Sequence, residues 1–104
     1  MIANLRIVEG EVAPSDNEQT VKAIVGSKET TLTFNRAFET AIEGETVLQG
    51  TITERSGIQW RFLLFRELGV GAAYNDSHTQ EDALRHARPL KEAAEKEVIG
   101  ACCA

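Results

Sequence analysis

The residues of this chain best equipped for chemistry gather late, at Tyr74, Asp76, His78, Asp82 and His86. His78, Asp82 and His86 recur every four residues, so on one helix they would share a face. Two imidazoles and a carboxylate in that arrangement suit a divalent cation. Two features weigh against such a site. Asn75-Asp76-Ser77-His78 reads as a loop, so His78 falls before the first helical turn, where the spacing no longer aligns it. The stripe also lies away from the apolar Ala83, Ala87 and Leu90 side, on a face expected to be solvated. A carboxylate at Asp82 is what the positive end of a helix attracts without any function. The three residues are therefore weak metal candidates, and no cofactor is expected.

A second group is basic and lies beside aromatic residues. Arg55, Arg61, Arg66, Arg85, Arg88 and Lys91 outnumber Glu67, Asp76, Glu81 and Asp82 over residues 55–91. Arginines and aromatics displayed on a sheet can hold single-stranded nucleic acid. The charge of the whole chain opposes this: it is −5, and the excess of acids lies entirely in residues 1–54. An acidic protein repels phosphate backbones on average. The simpler reading is that Arg61 and Arg66 snorkel, or pair with a carboxylate such as Glu54 or Glu67. Nucleic acid is thus an unfavoured partner.

Covalent catalysis finds no support. The chain has no Gly-x-Ser-x-Gly elbow, phosphate loop or dinucleotide fingerprint, and Gly69-Val70-Gly71 alone says little. Glu54, beside the most apolar stretch, comes nearest to a carboxylate suited to acid–base work. With no catalytic motif, the expectation leans away from an enzyme. The adjacent pair Cys102-Cys103 cannot readily bridge itself and is too sparse for a structural zinc site, so it reads as a frayed tail.

The element that must position any site is the run Gly57–Arg66. It holds the only Trp and two of the four Phe residues. At period two, Ile58, Trp60, Phe62 and Leu64 fall on one face and Leu63 and Phe65 on the other. A strand apolar on both faces is an interior strand, covered on both sides. Arg61 belongs to the Leu63 face and Arg66 to the Trp60 face. Around this run the sequence predicts strands over 2–9, 20–25, 30–34, 46–54 and 70–74, with Gly26-Ser27-Lys28 and Arg55-Ser56-Gly57 as turns. Gly50 suggests a bulge, or the close approach of a bulky neighbour such as Trp60.

Two segments remain ambiguous. Over 35–43, a strand would put Phe34, Phe38 and Ile42 on one face, with Glu43-Gly44 as a hairpin turn. A short helix near 36–43 would place Phe34, Phe38, Ala41 and Ile42 in one stripe between an Asn35 cap and Gly44, and the helix is preferred. From Thr79, a stripe of Ala83, Ala87, Leu90, Ala94, Val98 and Ala101 predicts a C-terminal helix ending at Gly100, kinked or broken near Pro89.

The fold expected is a single α+β domain over residues 1–104: an antiparallel sheet of about five strands with a Pro-kinked C-terminal helix on one face. No run approaches the roughly 18 apolar residues of a membrane span. Residues 1–6 carry no secretory pattern, so a cytoplasmic location is expected and no membrane partner. One thin, Ala-rich helix cannot obviously cover both faces of the central strand. The leading expectation is accordingly a non-catalytic interaction module whose second face is covered by another copy, a homodimer. The alternative is a pocket for a small apolar ligand between sheet and helix, walled by Trp60, Phe62 and Tyr74; with Leu64, Arg61 and Arg66 these are the candidate ligand or interface residues.

Overall fold

The computed structural model describes the backbone of residues 2–103 and the side chains of residues 2–97. Six strands precede one helix: β1 (Ile2–Glu9), β2 (Gln19–Val25), β3 (Lys28–Ile42), β4 (Glu45–Glu54), β5 (Gln59–Phe65), β6 (Val70–Tyr74) and α1 (Gln80–Cys103). Each strand pairs antiparallel with the next, and β6 pairs with β1 from Ile2↔Tyr74 to Arg6↔Val70. The sheet is therefore a closed six-stranded barrel, not an open sheet of about five strands. Closure follows from the ends of the meander. An open sheet would leave β1 and β6 with unpaired edge groups, and joining them satisfies both.

The two-sided character of β5 is realised as expected, with β4 on one flank and β6 on the other. Phe62 and Leu64 point into the barrel with Leu5, Leu32, Phe34, Leu48 and Ile52. The rings of Phe34 and Phe62 meet edge to face at 4.8 Å and 79°, a favoured quadrupole geometry. Leu63 and Phe65 point outward and are buried with Val70, Ala72 and Tyr74 beneath Ala83, Leu84 and Ala87 of α1. One chain thus covers both faces.

Residues 35–43 are strand, not helix. Leu32 to Ile42 pairs with Glu54 to Glu45, so β3 satisfies a strand edge that a helix would have left bare. Glu43 and Gly44 take φ of 49° and 81°, the two positive values of a tight hairpin turn. A register shift between Phe34 and Arg36 also separates residues that simple alternation would group. Phe34 is fully buried inside the barrel, whereas Phe38 turns outward and is 42% exposed. Ile42, also outward, is buried in the layer under the helix.

The β1–β2 loop caps the hairpin end of the barrel. Val12 inserts into the inner core, and Ser15 and Ala37 exchange backbone hydrogen bonds of 2.8 and 2.9 Å. The Gln19 amide donates to the Ala13 carbonyl and accepts from the Ala13 N–H. Helix α1 starts with a capping box: the Thr79 N–H donates to Asp82 Oδ2 and the Asp82 N–H to Thr79 Oγ1. It runs through Pro89 and past Gly100 to Cys103. Pro89 is exposed and has no N–H to return to the Arg85 carbonyl. The side chains of Val98, Ala101 and the Cys102-Cys103 pair lie outside the described residues.

Gly50 marks the tightest point of the wall. The close neighbour is Phe62 rather than Trp60: a Cβ here would lie 3.2 Å from the Phe62 ring and 1.9 Å from the Arg36 carbonyl oxygen, at a φ of +154°. Gly50→Ala is expected to destabilise the fold by about 3 kcal/mol, the upper part of the range for overpacking. Urea denaturation of the variant beside the parent measures this directly.

Candidate functional site

The residues expected to wall one pocket stand on opposite sides of the barrel wall. Phe62 and Leu64 are fully packed inside, and Trp60 sits half-buried at the mouth of the same interior. The Trp60 indole N–H donates to Glu54 Oε2 at 2.7 Å, so Glu54 serves to fix the ring. Tyr74 lies on the outer surface beneath α1. Burial pushes its phenol pKa up, with the nearby Arg61 opposing and Glu81 adding. Trp60 and Tyr74 therefore share no cavity.

The arginines are separated too. Arg61 occupies the outer face of β5 and pairs with Asp76 at 3.1 Å, not with Glu54 or Glu67. Both side chains are largely exposed, and such pairs contribute little to stability. Arg66 is exposed at the β5–β6 turn. It lines an open groove of about 720 Å³ with Glu11, Glu39, Glu67 and Lys91, below the projecting β3–β4 hairpin.

The weak metal candidates have separate roles. His78 precedes α1, and its Nδ1 lies 3.2 Å from Ser77 Oγ. Asp82 closes the capping box and pairs with Arg85. The Thr79 backbone N–H, followed by the Arg85 guanidinium, holds its carboxyl below the ordinary aspartate value. His86 reaches across to the Asn4 side chain on β1. Among the described residues, no three His, Cys, Asp or Glu side chains are grouped to hold a metal ion. Likewise, no described helix is long and apolar enough to cross a membrane.

Three surface features emerge that the sequence reading did not single out. The first is the outer face of β3, β4 and β5 that α1 leaves bare. Thr20, Thr33, Thr53 and Gln59 form one cross-strand row on it, and Arg36, Thr51 and Arg61 form the next. Phe38 and Gln49 follow as cross-strand partners. Arg36 holds its guanidinium 5.5 Å from the Phe38 ring centre and pairs with Asp16 at 3.3 Å. Gln49 is 8% exposed, and its amide nitrogen has no hydrogen-bond partner among the described residues. The Phe38 position could have been found only by recognising the bulge at Asn35. A hint was present, because Asn35 is a poor strand residue; its side chain donates to Thr53 Oγ1.

The second feature is the junction of the hairpin tip with the helix. Lys91 Nζ donates to Glu45 Oε1 at 2.8 Å and lies 5.3 Å from the Phe65 ring centre, while Arg88 and Glu43 pair at 3.7 Å. The hydrogen bond that Lys91 donates to Glu45 raises the Lys91 pKa. The third is a cavity of about 410 Å³ between the distal half of α1 and the barrel. Ile24, Leu68 and Val70 line one side and Leu90 and Ala94 the other, with Arg6, Glu67 and Glu97 at the rim.

Comparison of the chain with protein-family models, with curated proteins and with solved structures gives no match.

The capping box yields a signed pH dependence. Because the folded Asp82 carboxyl titrates below its ordinary value, its stabilisation is present at neutral pH and is lost as pH falls through that lowered value. Asp82→Ala should therefore melt below the parent at neutral pH, and the gap between them should close in acid. Paired thermal melts across the carboxylate range test this; a gap that is constant with pH would contradict it.

Proposed function

We propose that this protein is a non-catalytic interaction module that pairs with a second copy of itself through the bare outer face of β3 and β4. The sequence argument for a partner rested on β5, whose two faces are both covered within one chain. The reading now rests on Phe38, a large apolar side chain held 42% exposed next to Gln49. Two such faces related by a twofold axis would meet as an isologous contact, each Phe38 against the same patch of the other protomer. The cross-strand row of Thr20, Thr33 and Thr53 beside it offers short side chains for sheet-on-sheet packing at about 10 Å. A cytoplasmic setting is part of the same proposal.

A second reading draws on a separate observation. The 410 Å³ cavity under the distal helix lies within the ~300–1,000 Å³ of small-molecule sites. A small apolar ligand between helix and sheet would occupy it, with Leu68, Val70 and Leu90 as walls instead of Trp60, Phe62 and Tyr74.

Light scattering behind size exclusion, with reductant present, tests the first reading. The expected mass is twice the 11.4 kDa of the chain, falling to 11.4 kDa in Phe38→Ser without loss of the β spectrum. A parent that stays at 11.4 kDa across the micromolar to millimolar range would end the proposal of self-association.

A further inference from the structure

The geometry points to a hinged strap: the part of α1 beyond Pro89 is an arm that swings about that residue and is held shut over an apolar cavity by an ion-pair latch. The inference holds whether or not the chain self-associates.

The two halves of α1 are bound to the barrel in different ways. Before Pro89, Ala83, Leu84 and Ala87 are each 0% exposed and embedded in the outer core. After Pro89, Leu90 and Ala94 are only partly buried at the margin of that core, Ala93 is exposed, and a cavity of about 410 Å³ opens beside them, with Ile24, Leu68 and Val70 on its other side. The first half is embedded; the second touches the core only through its margin, at Leu90 and Ala94.

Pro89 supplies the hinge. It has no N–H to return to the Arg85 carbonyl, and its ring crowds the preceding turn, so the ladder is weakest between the halves. Lys91, in the first turn of the arm, supplies the latch. Its ammonium donates to Glu45 Oε1 at 2.8 Å, and its stem crosses toward the Phe65 ring. Glu45 Oε2 is buried without a hydrogen-bond partner among the described residues, so this carboxylate is enclosed largely for the sake of Lys91. Arg88 and Glu43 pair on the hinge side of the same hairpin tip. Segments with few buried apolar contacts open below the global unfolding free energy. Opening here would uncover Leu68, Val70 and Leu90 while leaving the barrel and the first half of the helix intact.

Amide hydrogen exchange, read residue by residue by NMR on the full chain, tests the strap. Lys91–Glu97 should exchange about tenfold or more faster than Leu84–Arg88, with the step at Pro89, as a separate opening unit requires. Lys91→Met, which keeps the apolar stem and removes the charge, should raise the distal rates by about threefold more while leaving the proximal rates unchanged. Pro89→Ala, which restores the bond to Arg85, should erase the step. Rates that rise smoothly toward the C-terminus with no step at Pro89 would overturn the hinge, as would a step that survives Pro89→Ala. A Lys91→Met effect shared equally by both halves would overturn the latch.

Discussion

The structure depends on β5 being apolar on both faces. Neither side of such a strand can be left in water, so the chain must build two apolar layers around it. Curling six strands into a barrel encloses the side of Phe62 and Leu64, and laying a helix outside covers Leu63 and Phe65. Burial of this kind stabilises by about 25 cal/mol per Å² of apolar surface removed from water, without directional demands. The directional demands come from the backbone, and closure of β6 on β1 meets them by leaving no sheet edge unpaired along the shared register. The barrel and the helix are therefore two answers to a single constraint.

The small residues follow from the same geometry. Ala72 and Ala73 of β6 are both fully buried, one under the helix and one inside the barrel, because the helix and the inner core press on that strand from opposite sides. Gly50 opens the wall at the point where Phe62 and the bulged segment of β3 converge. The bulge reverses the phase of β3. Before it Phe34 joins the core, and after it Phe38 is left facing outward on the surface that α1 does not reach. An extra residue in one strand thus produces the exposed aromatic on which the proposal of self-association rests.

Charge acts locally in this protein. Arg36 and Arg61 each hold a carboxylate of a neighbouring segment and Arg85 one on its own helix, all at or near the surface, where screening leaves such pairs weak. The Lys91–Glu45 pair differs in being more enclosed than these and in joining elements far apart in sequence, the hairpin tip and the helix. Its place just beyond Pro89 makes it a tether for the half of α1 that packing holds least.

The sequence by itself determined where most strands lie along the chain, the interior position of β5, the assignment of its side chains to two faces, and the helix beginning near Thr79. These are written in short-range patterns: period-two alternation, Gly-containing turns and an apolar stripe at helical period from Ala83. It did not determine that the sheet closes, because closure is a pairing between the two ends of the meander and no local pattern encodes it. Nor did it determine residues 35–43, whose apolar spacing suits a helix as well as a bulged strand; the unpaired edge of β4 decided the matter. The same limit explains the expected pocket. Trp60, Phe62 and Tyr74 are near in sequence and all aromatic, but alternation around a closed wall sends Tyr74 to the outside and the other two inward, and only the tertiary structure says which side of a barrel a residue is on.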